Sequence, residues 1–305
     1  MPIKIENDLP AALELEKENI FVMTESRATT QDIRPLKILI LNLMPTKETT
    51  EKQLLRLLGN SPLQVDAELL QMASHRTRNT SAEHMFKYYK TLDEIRDCRY
   101  DGMIFTGAPV EMLPFDEVDY WSELKETMDW ALTHVYSCYF ICWGAQAALY
   151  HKYGVPKYTL PKKLSGVYEH TPLDRYHPLL RGLDDSFWCP HSRNTEVRLD
   201  DIVKISDLQV LSYSREAGIH MISDMDCRNF YVFGHFEYDA DTLLKEYIRD
   251  TKKGLDVPVP CHYFPGDDPE REPIVRWRGT ANLVMQNWLN YFVYQKTPYN
   301  LTELG

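Results

Sequence analysis

In YSCYFICWGAQAALY, residues 136–150, an unbroken apolar run gives way at Cys142 to a string of small residues. The run 136–141 has the pattern of a strand buried on both faces of a parallel sheet. Gly144, Ala145, Ala147 and Ala148 let a helix over 144–150 begin close against that sheet. A strand that turns at a cysteine straight into a helix has the grammar of a nucleophile elbow.

The same strand and helix units repeat on the N-terminal side. LKILILNL, residues 36–43, reads as a buried strand, and the helix that follows from Thr50 carries Leu54, Leu55, Leu57 and Leu58 as one stripe that Gly59 and Asn60 end. Further strands are expected over 63–70 and 100–105, with helical stretches over 84–95 and 121–132. Such repetition predicts an α/β fold built on a doubly wound, mostly parallel sheet. Residues 1–35 read as an N-terminal extension, 36–250 as the catalytic domain, and 251–305 as a C-terminal addition packed on it, the Pro-rich stretch 257–273 being a surface excursion. Ligands of these sheets sit beyond the carboxyl ends of the strands, which directs attention to 44–47, 107–111 and 142–144.

Cys142 is at such an end. The free N–H groups and positive dipole end of a helix stabilise a thiolate, and the Trp143 N–H is placed to donate to an oxyanion. Taken alone, a cysteine at a strand end is as readily a packed core residue. NFYVFGHFEY, residues 229–238, changes that balance, because it reads as a late strand presenting His235 and Glu237 on one face. His235 would take the thiol proton and Glu237 would hold the imidazole. The other nine histidines are expected to be surface or structural residues.

Composition excludes several classes. No apolar window reaches membrane-spanning length, and no secretory signal can be read, so a cytoplasmic protein is expected. The net charge of −11, with scattered Lys and Arg, works against nucleic-acid binding. Six cysteines without a C-x-x-C pair argue against a disulfide framework or zinc site, and no H-E-x-x-H spacing suggests another metal. Acyl transfer and glutamine hydrolysis both use such a triad. Phe140, where amidotransferase elbows usually carry Gly, and the lack of a recognisable synthetase domain weigh against a glutaminase.

NLMPTKETTEKQLLRLL (42–58), TGAPVE (106–111), FICWGAQAALY (140–150), PHSRNTEV (190–197), GHFEYD (234–239) and NWLNYFVYQKTPYNL (287–301) together resemble the homoserine O-acyltransferases of bacterial methionine biosynthesis, the family that includes homoserine transsuccinylase. The resemblance covers nearly the whole chain. It implies a flavodoxin-like, class I glutamine amidotransferase-like fold, and transfer from acyl-CoA to the γ-hydroxyl of L-homoserine through a Cys142 thioester. Acyl-CoA would be a cosubstrate, with no cofactor, and a homodimer is the assembly to expect. The resemblance also puts Lys47 on the oxyanion or CoA side, although a lysine before a helix is as simply a solvated one. It associates Lys163, Ser192, Arg249 and, less directly, Arg193 with substrate binding.

Glu111 bears on the acyl group. Succinyl-preferring members resemble one another in having glycine at this place, and glutamate looks like the acetyl-selective form. Succinyl ends in a carboxylate that would meet Glu111, whereas acetyl ends in a methyl; the alternative is a Glu111 that points to solvent. Acetyl-CoA is therefore the expected donor, with succinyl-CoA the alternative.

Overall fold

The computed structural model of the chain describes residues 34–75 and 79–298, with 3–5, 9–11, 14, 22–24 and 301–303 as separate short pieces. The N-terminal extension expected over 1–35 therefore lies mostly outside the described residues. Its two described strands, β1 (Ile3–Ile5) and β2 (Val22–Thr24), lie at the edge of the sheet.

Inward from them the sheet contains β3 (Leu36–Leu41), β4 (Val65–Leu70) with the short β5 (Tyr89–Lys90) beside it, β6 (Tyr100–Phe105) and β7 (Val135–Ile141). The second half of the chain adds β8 (Tyr158–Pro172), β9 (Phe187–Glu196), β10 (Leu208–Ser214), β11 (Gly218–Asp224) and β12 (Asn229–Val232). Their order is β2-β1-β4-β3-β6-β7-β12-β11-β10-β8-β9. Neighbours from β2 through β12 run parallel, and those from β12 to β9 run antiparallel. The doubly wound, mostly parallel sheet is thus present, extended by an antiparallel block.

Side chains of β3 alternate between two cores. Ile38 and Ile40 join one with Leu54, Leu55 and Leu58 of α1 (Lys47–Gly59), while Leu39 and Leu41 join the other. That second core takes Trp121, Leu124 and Met128 from α2 (Trp121–His134), and Ala145, Ala147 and Leu149 from α3 (Trp143–Tyr153). Each fully buried leucine contributes roughly 1.5–3 kcal/mol, so strands apolar on both faces are held firmly between helical layers. The helix α4 (Thr242–Lys252) follows β12, and α5 (Arg278–Asn287) continues into a π-helical turn, Trp288–Tyr294, packed under the sheet. There Trp288 Nε1 donates to Ser137 Oγ at 2.9 Å, and its ring fills the space that a side chain at Gly102 would need.

Several boundaries differ from expectation. The first helix starts at Lys47, a turn earlier than Thr50, and the second strand starts at Val65. The stretch 84–95 is broken by β5 into Ala82–Tyr88 and Leu92–Ile95. Because β12 ends at Val232, His235 and Glu237 stand in the turn beyond it and not on one strand face. Among the described residues no helix is long and apolar enough to cross a membrane.

Candidate active site

Between β3 and β6 the connections diverge to opposite sides, β4 on one and β7 on the other, which opens a crevice at the strands' carboxyl ends. A cavity of about 530 Å³ lies there. Cys142, His235, Glu111, Lys163, Ser192 and Arg249 all line it, with residues of the 44–46 and 107–112 loops.

Cys142 has φ +50° and ψ −113°, a conformation that costs a non-glycine residue on the order of 1–3 kcal/mol. Its flanks hold it there. The Cys142 N–H donates to the Val232 carbonyl at 2.7 Å, and its own carbonyl accepts the Gln146 N–H at 3.2 Å. A Cβ at Gly144 would lie 2.6 Å from the Thr106 carbonyl oxygen, so the helix can start this close to the sheet only with glycine. The thiol is thereby lifted to the cavity floor, while the Trp143 N–H, first in α3, has no acceptor within the helix. The Trp143 indole is buried in the core with Phe115 and Tyr120 and does not line the cavity.

His235 Nδ1 lies 2.6 Å from Glu237 Oε1, both groups being buried. The turn, and not strand alternation, makes this pair. Burial disfavours the imidazolium, but the Glu237 carboxylate and the Cys142 sulfur outweigh it and raise the His235 pKa well above its ordinary value. The His235 N–H donates to the Pro190 carbonyl at 2.8 Å, and the ring stacks on Tyr238 with centroids 4.2 Å apart. These contacts fix the imidazole between thiol and carboxylate.

The Glu111 carboxylate accepts the backbone N–H of Asn194 at 2.8 Å and its side-chain amide at 2.6 Å. It is therefore oriented and does not trail into solvent. Across the cavity, Lys163 Nζ lies 3.0 Å from Asp250 and 3.5 Å from Glu246, and Arg249 holds Asp250 at 2.7 and 3.1 Å. Ser192 Oγ donates to Glu246, which also accepts the Tyr238 hydroxyl at 3.2 Å. Glu246, Asp250, Tyr238 and Asn194 escaped the sequence reading. A signal existed for two of them, since Glu246, Arg249 and Asp250 at i, i+3 and i+4 share one face of α4.

Two expected cations lie elsewhere. Lys47 is buried, donates from Nζ to the Asn42 carbonyl, and is absent from the cavity lining. A polar chain backs it: Asn42 Nδ2 donates to the Tyr89 hydroxyl at 2.8 Å, which donates to Glu51 at 2.6 Å. Burial, partly offset by Glu51, lowers the Lys47 pKa to about 8. Arg193 does not stand where a substrate-binding residue would. On β9, Ser192 and Asn194 face the cavity, so the side chain between them turns to the opposite, buried face.

A family model described as homoserine O-succinyltransferase matches residues 2–299. A protein of Desulfitobacterium hafniense (strain DSM 10664 / DCB-2) named homoserine O-acetyltransferase is 57% identical over 305 residues, covering 100% of this chain and 99% of its own. One of the same name from Brevibacillus brevis is 58% identical over 303 residues, covering 99% of each. Among solved structures, a glutamine amidotransferase of Thermotoga maritima superposes with a TM-score of 0.56 at 11% identity, over 86% of this chain and 100% of the other. That likeness is one of fold.

Proposed function

The chain belongs to the homoserine O-succinyltransferase family, and from that premise we propose that it moves an acetyl group from acetyl-CoA to the γ-hydroxyl of L-homoserine, in methionine biosynthesis. His235 takes the Cys142 proton, and the thiolate attacks the acetyl carbonyl. CoA leaves with a proton from the imidazolium, and the acetyl group stays on sulfur as a thioester. Homoserine then enters, His235 takes its hydroxyl proton, and attack on the thioester releases the product and the thiolate. Glu237 holds the imidazole in register throughout, and the Trp143 N–H donates to each oxyanion. Lys47 would have to leave the Asn42 carbonyl to reach the same oxygen.

Arg249 and Lys163 offer positive charge to the homoserine carboxylate, with Ser192 as a polar contact. Acetyl-CoA is a cosubstrate, and no resident cofactor is needed because the cysteine carries the acyl group. A cytoplasmic homodimer is the form in which we expect the enzyme to work.

Acetyl over succinyl rests on one observation, the Glu111 carboxylate clamped by Asn194 in the cavity that holds Cys142. Two like charges about 4 Å apart repel by roughly 1–4 kcal/mol at dielectrics between water and a protein surface. Since each 1.4 kcal/mol or so is a decade, acetyl should be preferred about fivefold or more. Turnover with acetyl-CoA and succinyl-CoA is measured for the wild type and Glu111→Gly. The expected result is an acetyl preference that shrinks about fivefold or more in the variant; an unchanged preference sinks the pocket explanation, and a wild type that turns over succinyl-CoA as fast as acetyl-CoA favours the succinyl alternative.

A further inference from the structure

L-Homoserine, the acceptor proposed above, is a zwitterion at neutral pH, with its ammonium and carboxylate on one carbon and the reacting hydroxyl at the far end. Arg249, Lys163 and Ser192 answer the carboxylate. The ammonium needs an anion of its own, because a charge taken from water without a partner is costly. Among the described residues the acids that line the cavity are Glu111, Asp239, Glu246 and Asp250, and their existing contacts rank them. Glu111 is committed on both oxygens, to the Asn194 N–H at 2.8 Å and its side-chain amide at 2.6 Å. Asp239 is paired with Arg56 at 2.7 Å and Lys52 at 3.6 Å. Asp250 lies between Arg249, at 2.7 and 3.1 Å, and Lys163, at 3.0 Å. Glu246 differs. Its Oε2 accepts the Ser192 hydroxyl and lies 3.5 Å from Lys163, whereas its Oε1 accepts the Tyr238 hydroxyl at 3.2 Å. A carboxylate oxygen has two lone pairs, so among the described residues Oε1 has room for another donor.

The place of Glu246 matches the ligand. Glu246 and Arg249 stand at i and i+3 on one face of α4, where side chains begin about 5–6 Å apart. The helix thus sets an anion beside a cation, as two opposite charges on one carbon require. From Oε1 the Tyr238 hydroxyl leads to a ring stacked on His235, with centroids 4.2 Å apart. An ammonium on Glu246 is therefore one aromatic ring away from the base that takes the hydroxyl proton. Ser192 on β9 and Tyr238 hold one carboxylate oxygen each, so the group is oriented before the acceptor arrives.

We propose that Glu246 is the specificity-determining residue for the acceptor. Its carboxylate takes the ammonium of homoserine while Arg249, one turn further along α4, takes the carboxylate, so that the site admits an α-amino acid and turns away a hydroxy acid without the amino group. The proposal rests on the homoserine reading given above.

Steady-state kinetics with acetyl-CoA and two acceptors test it in the wild type, Glu246→Gln, Glu246→Ala and Glu246→Asp. The acceptors are L-homoserine and 4-hydroxybutanoate, which keeps the hydroxyl and the carboxylate and carries hydrogen in place of the ammonium. By kcat/KM the wild type should prefer homoserine about 10- to 100-fold, the value of one charge-assisted hydrogen bond. In the two neutral variants that preference should shrink about tenfold or more, chiefly through a raised KM for homoserine, with 4-hydroxybutanoate used as well as before or better. Glu246→Asp, which keeps the charge, should retain more of the preference than either. Acetylation of Cys142 by acetyl-CoA alone, at the wild-type rate, certifies the fold of each variant, and either neutral variant that passes decides the matter. The proposal is overturned by an unchanged preference in such a variant, by an equal loss with both acceptors, or by a wild type that uses the two equally. A wild type that acetylates neither acceptor overturns instead the homoserine reading on which the proposal rests.

Discussion

At the scale of single residues, the site depends on side chains held at fixed angles by neighbours that do no chemistry. Glu237 is the clearest case, its carboxylate 2.6 Å from His235 Nδ1. Glu237→Gln keeps the shape but removes the charge that supports the imidazolium, and its amide can present a donor where an acceptor is required. We expect kcat to fall by about 10²- to 10⁴-fold, with a smaller change in KM, in steady-state assays; a variant within threefold or so of wild type would remove Glu237 from the mechanism. Cys142, His235 and Glu111, which the fold brings to one cavity, could be singled out in the sequence because each sits in a short motif just beyond a strand. Arg193 was misread because its neighbours Ser192 and Asn194 carry the motif's chemistry, and only strand alternation shows that it faces the other way. Glu246 was invisible for another reason: an acid on a polar helix looks like any solvated acid until Ser192 and Tyr238 are folded onto it.

At the scale of elements, the parallel strands were readable because they are apolar on both faces, as β6 and β7 are almost throughout. The antiparallel block was not, because β8, YTLPKKLSGVYEHTP, carries two prolines and two adjacent lysines, and β9, FWCPHSRNTE, carries a proline and a run of polar groups. Burying His170 on β8, His191 on β9 and His220 on β11 has a consequence for this block. Their folded pKa values lie below the unfolded value near 6.5, so below that pH the unfolded chain binds more protons and stability falls as pH falls. The loss continues toward pH 3 for His170, at about 1.4 kcal/mol per histidine per pH unit. His235, raised in the fold, is charged in both states there and does not offset it. Urea midpoints between pH 7 and 5 should drop, and His220→Leu should drop less; parallel slopes for the two proteins would contradict neutral burial of His220.

At the scale of the whole molecule, the cavity lies at the carboxyl ends of the parallel strands and is walled on its other side by residues of the antiparallel block and α4. The parallel half supplies Cys142 and the Glu111 loop, and the antiparallel half with α4 supplies Ser192, Lys163 and Arg249. This division suits a two-stage transfer, with the acyl group selected on one wall and the acceptor on the other. The first half of the architecture follows from hydrophobic pattern alone, whereas the second, although β10, β11 and β12 pair with their neighbours in sequence, is built partly of strands too polar for that pattern to announce. The central claim is a covalent one, and the most direct measurement is the intact mass of the protein after acetyl-CoA is added without homoserine, with the modified peptide mapped. The account predicts a single acetyl group on Cys142 that L-homoserine discharges as an O-acetyl ester; an unmodified Cys142, or an adduct that homoserine leaves in place, would contradict it.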